Sequence, residues 1–167
     1  MMPIDTPLNW APDLKDAIER NPLTVAPTTS VADALVSIGL AHRHQCSLVD
    51  DQGESNAQNR EVRASCVLVM QDRELLGILT ERDVVRLTAE AIDFTETTVA
   101  DVMSHPVITL PQEYIQDIFA TLFLFRRYRI RHLPIVDDRG KLVGIVSHES
   151  IRQILRPANL LRFRRVS

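Results

Sequence analysis

The sequence predicts a mixed α/β (α+β) protein built from two similar β-α-β-β-α units, and three observations lead to this fold class. First, residues 21–34 align with residues 105–118 at an offset of 84 residues. Second, residues 75–85 align with residues 142–152 at an offset of 67 residues. Third, extended and helical apolar patterns follow in the same order in both copies. A duplication of this kind indicates two units packed against each other, with any ligand site between them.

The composition is that of an ordinary globular protein. Of the 167 residues, 45% are hydrophobic and 25% are charged. The net charge of −3 gives no reason to expect nucleic-acid binding. No apolar run approaches the ~18–20 residues of a membrane span, and the N-terminus lacks a signal-peptide pattern. The two cysteines, Cys46 and Cys66, are interpreted as reduced thiols. We therefore expect a cytoplasmic protein without membrane insertion.

The first unit is predicted over residues 14–91, after an N-terminal arm at residues 1–13 that holds three of the nine prolines. The two offsets differ by 17 residues, which predicts an insertion in this unit, placed at the polar segment 44–62. Residues 28–30 supply hydroxyl groups that can cap a helix. The predicted elements are a short helical turn at 14–18, a strand at 23–26, a helix from Val31 to Ala41, strands at 66–70 and 75–80, and a helix at 81–91.

The second unit is predicted over residues 92–157 and repeats this order. Its predicted elements are a strand at 108–110, a helix marked by Ile115, Ile118, Phe119, Leu122 and Phe123, strands at 133–136 and 141–147, and a helix at 150–155. Pro157 ends the last helix. Residues 158–167 form a basic linker, which is either a solvated helix end or a connector into a further domain.

No catalytic or metal-binding constellation is found in the sequence. The five histidines are not spaced like zinc ligands, and no phosphate-binding or nucleophile-elbow motif occurs. No serine or acid is marked as a nucleophile beside a base. We therefore predict that the chain is not an enzyme and that it has no metal and no cofactor.

The segment from Gly77 to Asp83 carries the strongest local signal. A predicted strand ends at Thr80, a helix begins, and the carboxyl group of Asp83 follows three residues later. One interpretation is a helix capping pair of Thr80 and Asp83. The other uses the same placement for a ligand, because a helix N-terminus favours phosphate and a carboxylate accepts hydrogen bonds from ribose hydroxyls. The two interpretations are compatible.

Several strings taken together resemble the CBS domain family, named after cystathionine β-synthase. They are the opening P-x-x-h-x-P strand of each copy, the closing G-h-h-[TS]-x-x-D string, residues 101–111 and residues 131–137. The resemblance covers about residues 14–157. It implies a tandem pair, or Bateman module, with two units packed about a pseudo-two-fold axis and two equivalent clefts between them. It also implies adenosine nucleotides (AMP, ADP or ATP) or S-adenosylmethionine as ligands.

Carried over by residue, the resemblance implies one main cleft at Thr80 and Asp83. Asp83 would hold the ribose hydroxyls and Thr80 a phosphate, while Arg82, Arg131 or His132 would screen phosphate charge. Main-chain groups near Ile108 and Ile130 would contact the adenine edge. The residues implied for this cleft are Thr80, Arg82, Asp83, Val107, Ile108, Thr109, Ile130, Arg131, His132 and Pro134. For His132, a packing or hairpin contact is an equal alternative.

The second cleft departs from the family pattern, because Ser150 stands where the first copy has Asp83. Serine is shorter and uncharged, and Glu149 in place of Arg82 would repel phosphate. We predict that this cleft is weak or empty. Its implied residues are Thr24, Val25, Ala64, Ser65, Ser147 and Ser150.

The sequence and the resemblance together predict a non-catalytic regulatory module. It would bind an adenosine nucleotide, form a homodimer, and signal to an attached or partner output domain such as a kinase, a cyclase or another enzyme. One alternative is a structural dimerisation module with vestigial clefts, because residues 119 and 122–125 hold more large apolar groups than one helix face can bury. A nucleotide hydrolase is a further alternative, but the sequence shows no base or metal cluster for it.

Overall fold

The computed structural model describes residues 14–43, 65–115 and 118–155. Its elements, in chain order, are a 3-10 helix at Leu14–Ala17, strand β1 at Thr24–Val25, helix α1 at Val31–Arg43, β2 at Cys66–Gln71, β3 at Glu74–Thr80, α2 at Glu81–Ala89, α3 at Val99–Val102, β4 at Leu110–Pro111, a 3-10 helix at Gln112–Tyr114, α4 at Ile118–Tyr128, β5 at His132–Val136, β6 at Leu142–Ser147 and α5 at His148–Ile154. The order β-α-β-β-α occurs twice, so the predicted fold class is confirmed. The predicted arm 1–13, insertion 44–62 and linker 158–167 lie outside the described residues.

Each repeat forms one three-stranded sheet, and the two sheets have the same topology. In the first, β1 pairs in parallel with β2, and β2 pairs antiparallel with β3. In the second, β4 pairs in parallel with β5, and β5 pairs antiparallel with β6. Even the register irregularities correspond, lying between Val69 and Met70 in one sheet and between Ile135 and Val136 in the other. The internal sequence repeat is therefore a structural repeat.

Helix α1 forms where the capping hydroxyls and the apolar spacing predict it. Ser30 is the capping residue, since its Oγ donates to Asp33 Oδ2 at 2.8 Å and accepts from the Asp33 main-chain N–H at 3.1 Å. Val31, Ala34 and Ile38 follow on the buried face. Their spacing of three and four residues keeps them on one side of the helix.

The segment that leads into each repeat crosses to the sheet of the other repeat. Glu19, before β1, exchanges two main-chain hydrogen bonds of 2.8 and 2.9 Å with Ile145 in β6. Ser104, before β4, exchanges two with Ile78 in β3, at 2.9 and 3.1 Å. The predicted unit boundaries at 14–91 and 92–157 follow the sequence repeat, whereas these main-chain bonds cross between the units.

Apolar side chains follow the same exchange. Leu14, Ala17 and Ile18 pack in the core of the second repeat, and Val99 of α3 packs in the core of the first. A third cluster joins the two sheets to each other: Cys66, Leu68, Ile78 and Ile145, with Leu75, Val107 and Leu142 against them. Each repeat therefore completes its core with side chains from the other.

One helix differs from the sequence expectation, whereas the exposure of α4 agrees with the excess of large apolar groups at residues 119 and 122–125. Helix α3 was not predicted, although Thr98 and Asp101 form the same capping pair as Thr80 and Asp83 and could have revealed it. In α4, Phe119 and Phe123 are 78% and 64% exposed, while the buried face carries Thr121 and Phe125. None of the helices in the described ranges is long and apolar enough to cross a membrane.

Candidate functional site

The site begins at the N-terminus of α2, where β3 ends. The main-chain N–H of Thr80 donates to Asp83 Oδ2 at 2.9 Å, and the Thr80 hydroxyl donates to the same oxygen at 2.7 Å. The capping interpretation of this pair is confirmed. Both side chains are half-buried, so the carboxylate is fixed by α2 itself.

The second carboxylate oxygen of Asp83 holds only long contacts. Ser104 Oγ donates to Asp83 Oδ1 at 3.5 Å, and Arg86 Nη2 lies 3.8 Å from the same atom. The side chain of Asp83 is 15% exposed. An incoming hydroxyl group would therefore find its acceptor at Oδ1, because Oδ2 already receives two short hydrogen bonds.

Arg82 ties this helix end to the second repeat. Its guanidinium Nη1 donates to the main-chain carbonyl of Arg129, just beyond the C-terminus of α4, at 3.1 Å. Arg82, Arg129 and Arg131 are all exposed. Arg82 lies in the first turn of α2, so its cationic side chain stands beside the positive end of the helix dipole, a combination that favours anionic groups.

His132 lies at the start of β5 and contacts the first repeat. Its Nε2 is 2.6 Å from Ser65 Oγ, the residue before β2. Burial lowers the pKa of His132 to about 4, with a smaller contribution from the Arg131 guanidinium. The imidazole is therefore neutral at physiological pH. A neutral imidazole does not compensate phosphate charge, and this favours the other interpretation of His132, a packing contact.

The Ser65–His132 pair has the spacing of a nucleophile and a base, but its chemistry is unsuited to catalysis. A general base works best when its pKa lies near the working pH. An imidazole with a pKa of about 4 binds a proton too weakly at neutral pH to activate a hydroxyl group. The hydrogen bond is better described as a link between the repeats.

The remaining residues predicted for this cleft are mostly directed into the structure. Ile108 and Ile130 pack against the core of the second repeat, and Val107 packs against the cluster between the sheets. Pro134 is buried in β5 opposite Ile145, and Thr109 is half-buried.

The second predicted cleft is organised around the N-terminus of α5. Ser150 occupies the capping position of Asp83: its Oγ accepts from the Ser147 N–H at 3.0 Å and donates to the Ser147 carbonyl at 2.9 Å. In return, Ser147 Oγ accepts from the Ser150 N–H at 3.0 Å. This cap brings no charge to the cleft, in contrast to Asp83.

Other residues predicted for the second cleft are less closely associated with α5. Thr24 is exposed, Val25 packs against the core of the first repeat, and Ala64 lies outside the described residues. Ser65 is bonded to His132, which was predicted for the first cleft. Ser65 and His132 were predicted for different clefts, but their side chains are in contact.

Three contacts at the site were not predicted from the sequence. Ser104 lies within the string 101–111, and its proximity to Asp83 depends on the crossing of the leading segments. The spacing of Asp83 and Arg86 by three residues on a helix could have indicated their ion pair. The Arg129 carbonyl has no sequence signal, because any residue supplies one.

Cys66 has the properties of an unreactive thiol. Cys66 is a free thiol, buried at the start of β2. Burial raises its pKa to about 12, with a smaller effect from the negative charge of Glu81. Cys46 lies outside the described residues. Within the ranges that the structure describes, no group of three or more His, Cys, Asp or Glu side chains is placed to hold a metal ion.

Comparison with known proteins identifies the second repeat directly. Residues 99–157 match the family model of the CBS domain. An uncharacterized protein of Methanopyrus kandleri is 40% identical over 91 residues, which are 54% of this chain and 45% of that protein. The chain thus spans less than half the length of this curated relative.

Two solved structures share the fold at low sequence identity. A CBS domain protein from Pyrobaculum aerophilum complexed with AMP has a TM-score of 0.64 and 17% identity, covering 91% of this chain and 97% of that chain. A CBS domain pair in complex with 5′-methylthioadenosine and S-adenosyl-L-methionine has a TM-score of 0.62 and 21% identity, covering 86% and 98%. At these identities the likeness concerns the fold alone. The family match identifies residues 99–157 as a CBS domain, and the repeated β-α-β-β-α order together with the shared fold gives the whole chain the fold of a CBS domain pair.

Proposed function

We propose that this chain is a non-catalytic regulatory module that binds an adenosine nucleotide in the cleft at the N-terminus of α2. The observation that carries the proposal is the convergence of both repeats on Asp83. Thr80 and Arg82 come from the first repeat, while Ser104 and the Arg129 carbonyl reach the same helix end from the second. A ligand that bridges the two repeats would favour the arrangement in which they are closed around it.

The proposed roles follow from the atoms that face the cleft. Asp83 Oδ1 would accept from a ribose hydroxyl, since Oδ2 is held by Thr80. Arg82 and Arg131 would compensate phosphate charge, because both side chains are exposed, Arg82 lies in the first turn of α2, and His132 is neutral. Related folds complexed with AMP or with S-adenosyl-L-methionine support the adenosine class of ligand.

The second cleft is proposed to be the weaker site. Ser150 uses its hydroxyl in its own helix cap and offers no charge to a ribose, and Glu149 is acidic where the first repeat has Arg82. Loss of a charge-assisted contact would reduce affinity by about tenfold to a hundredfold. We therefore expect one strong nucleotide site per chain.

Calorimetric titration of AMP, ADP, ATP and S-adenosylmethionine tests this function. The wild type should bind at least one of them, and Asp83→Ala should weaken that binding by about tenfold or more. Asp83 also caps α2, so the matched control is Asp101→Ala, which removes the equivalent cap of α3 outside the cleft. Equal affinity of Asp83→Ala and the wild type would place the site elsewhere, and no binding of any ligand would reject the proposal.

A homodimer is a second candidate function, and the exposed faces of α1 and α4 favour it. Val36 and Leu40 of α1 are 58% and 46% exposed and lie four residues apart. Phe119 and Phe123 of α4 have the same spacing, with Arg126 following on the same face. If α1 of a second copy packed antiparallel to α4, its N-terminal Asp33 would lie near Arg126, so that charge and apolar surface both match.

The oligomeric state of substituted chains tests the dimer. Phe123→Asp should shift the protein from dimer to monomer in light scattering coupled to size-exclusion chromatography. Val85→Asp is the matched control, because Val85 on α2 is 71% exposed but lies outside both faces. A wild type that stays monomeric at high concentration would exclude this function.

We also propose that the module signals to an attached or partner output domain, such as a kinase or cyclase, and that the protein is cytoplasmic.

A further inference from the structure

A hydrogen bond between the side chains of Ser65 and His132 links the two repeats. Its atoms lie 2.6 Å apart although the residues are 67 positions apart in the sequence. Both side chains are half-buried. His132 was predicted for the first cleft and Ser65 for the second, so their bond connects the two predicted sites.

The main chain around each partner holds the N-terminus of one helix. The Ser65 carbonyl accepts from the N–H of Glu81, the first residue of α2, at 3.2 Å. On the other side, His132 pairs with Ser147, the capping residue of α5. The carbonyl of Arg131 accepts from the N–H of His148, the first residue of α5, at 2.9 Å. The Ser65–His132 bond thus joins the supports of the two helix N-termini.

The bond is suited to act at neutral pH without any change of charge. A neutral imidazole carries one donor and one acceptor nitrogen, and a hydroxyl group can match either. A hydrogen bond in a partly buried place is stronger than one in water, and a partner left unsatisfied there is costly. The bond therefore ties the two helix supports directly to each other.

We propose that Ser65 and His132 are positioning residues whose hydrogen bond couples the two clefts, so that a ligand at the N-terminus of α2 alters the N-terminus of α5. The regulatory meaning of this coupling rests on the proposed function. The coupling itself is a property of the protein without ligand. Being a coupling free energy between two places, it acts equally in both directions.

Amide hydrogen exchange of the protein without ligand tests the coupling in both directions. Ser65→Ala, in the first repeat, should raise exchange of the His148 amide in the second by about fivefold, as loss of one hydrogen bond implies. His132→Phe should do the same to the Glu81 amide. The amides of Val69 and Ile135 lie in the sheets and report global unfolding. The increase in exchange at His148 and Glu81 must therefore be larger than the increase at these two amides.

Three further variants separate coupling from general destabilisation. Ser65→Thr keeps the hydroxyl group and should show wild-type exchange, and His132→Leu supplies a smaller apolar substitution if His132→Phe does not fold. Ser37→Ala removes a hydroxyl that bonds only within α1, to the Asp33 carbonyl, and should change neither amide. Unchanged exchange of His148 in Ser65→Ala and of Glu81 in the His132 variants would overturn the proposal.

Titration of AMP and ATP into the same proteins distinguishes the two proposals. In the wild type, the bound nucleotide should protect the His148 amide as well as the Glu81 amide. In Ser65→Ala, it should protect Glu81 alone. Binding that leaves His148 unprotected in the wild type would overturn the coupling. If neither nucleotide binds, the proposed ligand fails, and the exchange of the ligand-free variants alone decides the coupling.

Discussion

Gly144 in β6 lies directly against the main-chain carbonyl of Glu19, because the segment leading into the first repeat crosses the sheet of the second. A methyl group at Gly144 would overlap the Glu19 oxygen and would lie 2.6 Å from Ile18 Cγ2. Gly77 holds the corresponding position in β3, where a methyl group would lie 2.6 Å from Met103 Cγ. The two glycines of the repeated G-h-h motif therefore mark the two crossings.

We predict that Gly144→Ala destabilises the protein more than Gly77→Ala. At Gly144 the obstacle includes main chain that is hydrogen-bonded to Ile145, so it cannot move aside, and overpacking of this kind costs about 1–3 kcal/mol. At Gly77 the obstacle is the flexible side chain of Met103. Urea unfolding of both variants measures the difference.

Gly39→Ala is the control for this pair. Gly39 lies in α1, nothing is within 4 Å of a methyl group there, and alanine is the better helix former. This variant should be more stable than the wild type by about 0.5–1 kcal/mol. A Gly144→Ala protein as stable as Gly39→Ala would contradict the crossing as described.

The crossings explain why the fold was predictable to a large extent but not completely. The repeat, the capping residues and the apolar spacing are local signals, and they predicted both β-α-β-β-α units. Which sheet receives Glu19 or Ser104 is a long-range choice, and their sequence neighbours do not encode it. The sequence pattern contains both glycines, but it does not show why glycine is needed there. The structure shows that Ile18, Glu19 and Met103 lie against these two positions.

The candidate site was likewise predictable where its signals are local and not where they depend on tertiary structure. The pair Thr80 and Asp83 was found because helix capping and anion binding both depend on position within a few residues. Ser104 and the Arg129 carbonyl reach this helix end through tertiary structure, which the sequence does not show. The sequence also left two interpretations of His132 open, because its pKa depends on burial, which the sequence does not report.

The buried histidine gives the protein a pH-dependent stability. The pKa of His132 is about 4 in the folded protein against 6.5 in an ordinary environment, so the unfolded chain takes up the proton first as pH falls. Stability should be unaffected by this group above about pH 6.5 and should fall progressively between about pH 6.5 and 4. The total loss is at most roughly 3 kcal/mol. Urea unfolding at a series of pH values measures the slope.

His132→Gln should remove most of this slope, because glutamine does not titrate. Asp93 and Asp101 do not obscure the comparison: hydrogen bonds from the Thr95 and Thr98 side chains lower their pKa values below 3.8, outside the window. An equally steep slope in the variant would show that another group is responsible.

Ala91 occupies a backbone conformation that suits glycine. Its φ angle is 54°, and the following N–H of Ile92 donates to the Leu87 carbonyl, which closes the C-terminus of α2. We predict that Ala91→Gly stabilises the protein by about 0.5–1 kcal/mol, because the left-handed conformation is strained for alanine. The control is Ala89→Gly within α2, which should destabilise by about 1 kcal/mol. Thermal unfolding that ranks the two variants in the opposite order would refute this account of the helix end.

A substitution at Ser150 should make the second cleft similar to the first. Ser150→Asp places a carboxylate at the position of Asp83, where the Ser147 N–H and hydroxyl can bond it as Thr80 bonds Asp83. If the carboxylate is what makes the first cleft the stronger site, the variant should gain a second nucleotide site. Adding Glu149→Arg should strengthen that site further by removing a negative charge and restoring the cation that Arg82 supplies.

Calorimetric stoichiometry measures the change, which should move from about one to about two nucleotides per chain. Ser150→Asn is the matched control, since it has nearly the same shape as aspartate without the charge. A second site that appears with asparagine as well would show that side-chain length, and not charge, limits the second cleft. A stoichiometry of one in all variants would mean that the surroundings of α5, and not residue 150, decide which cleft is used.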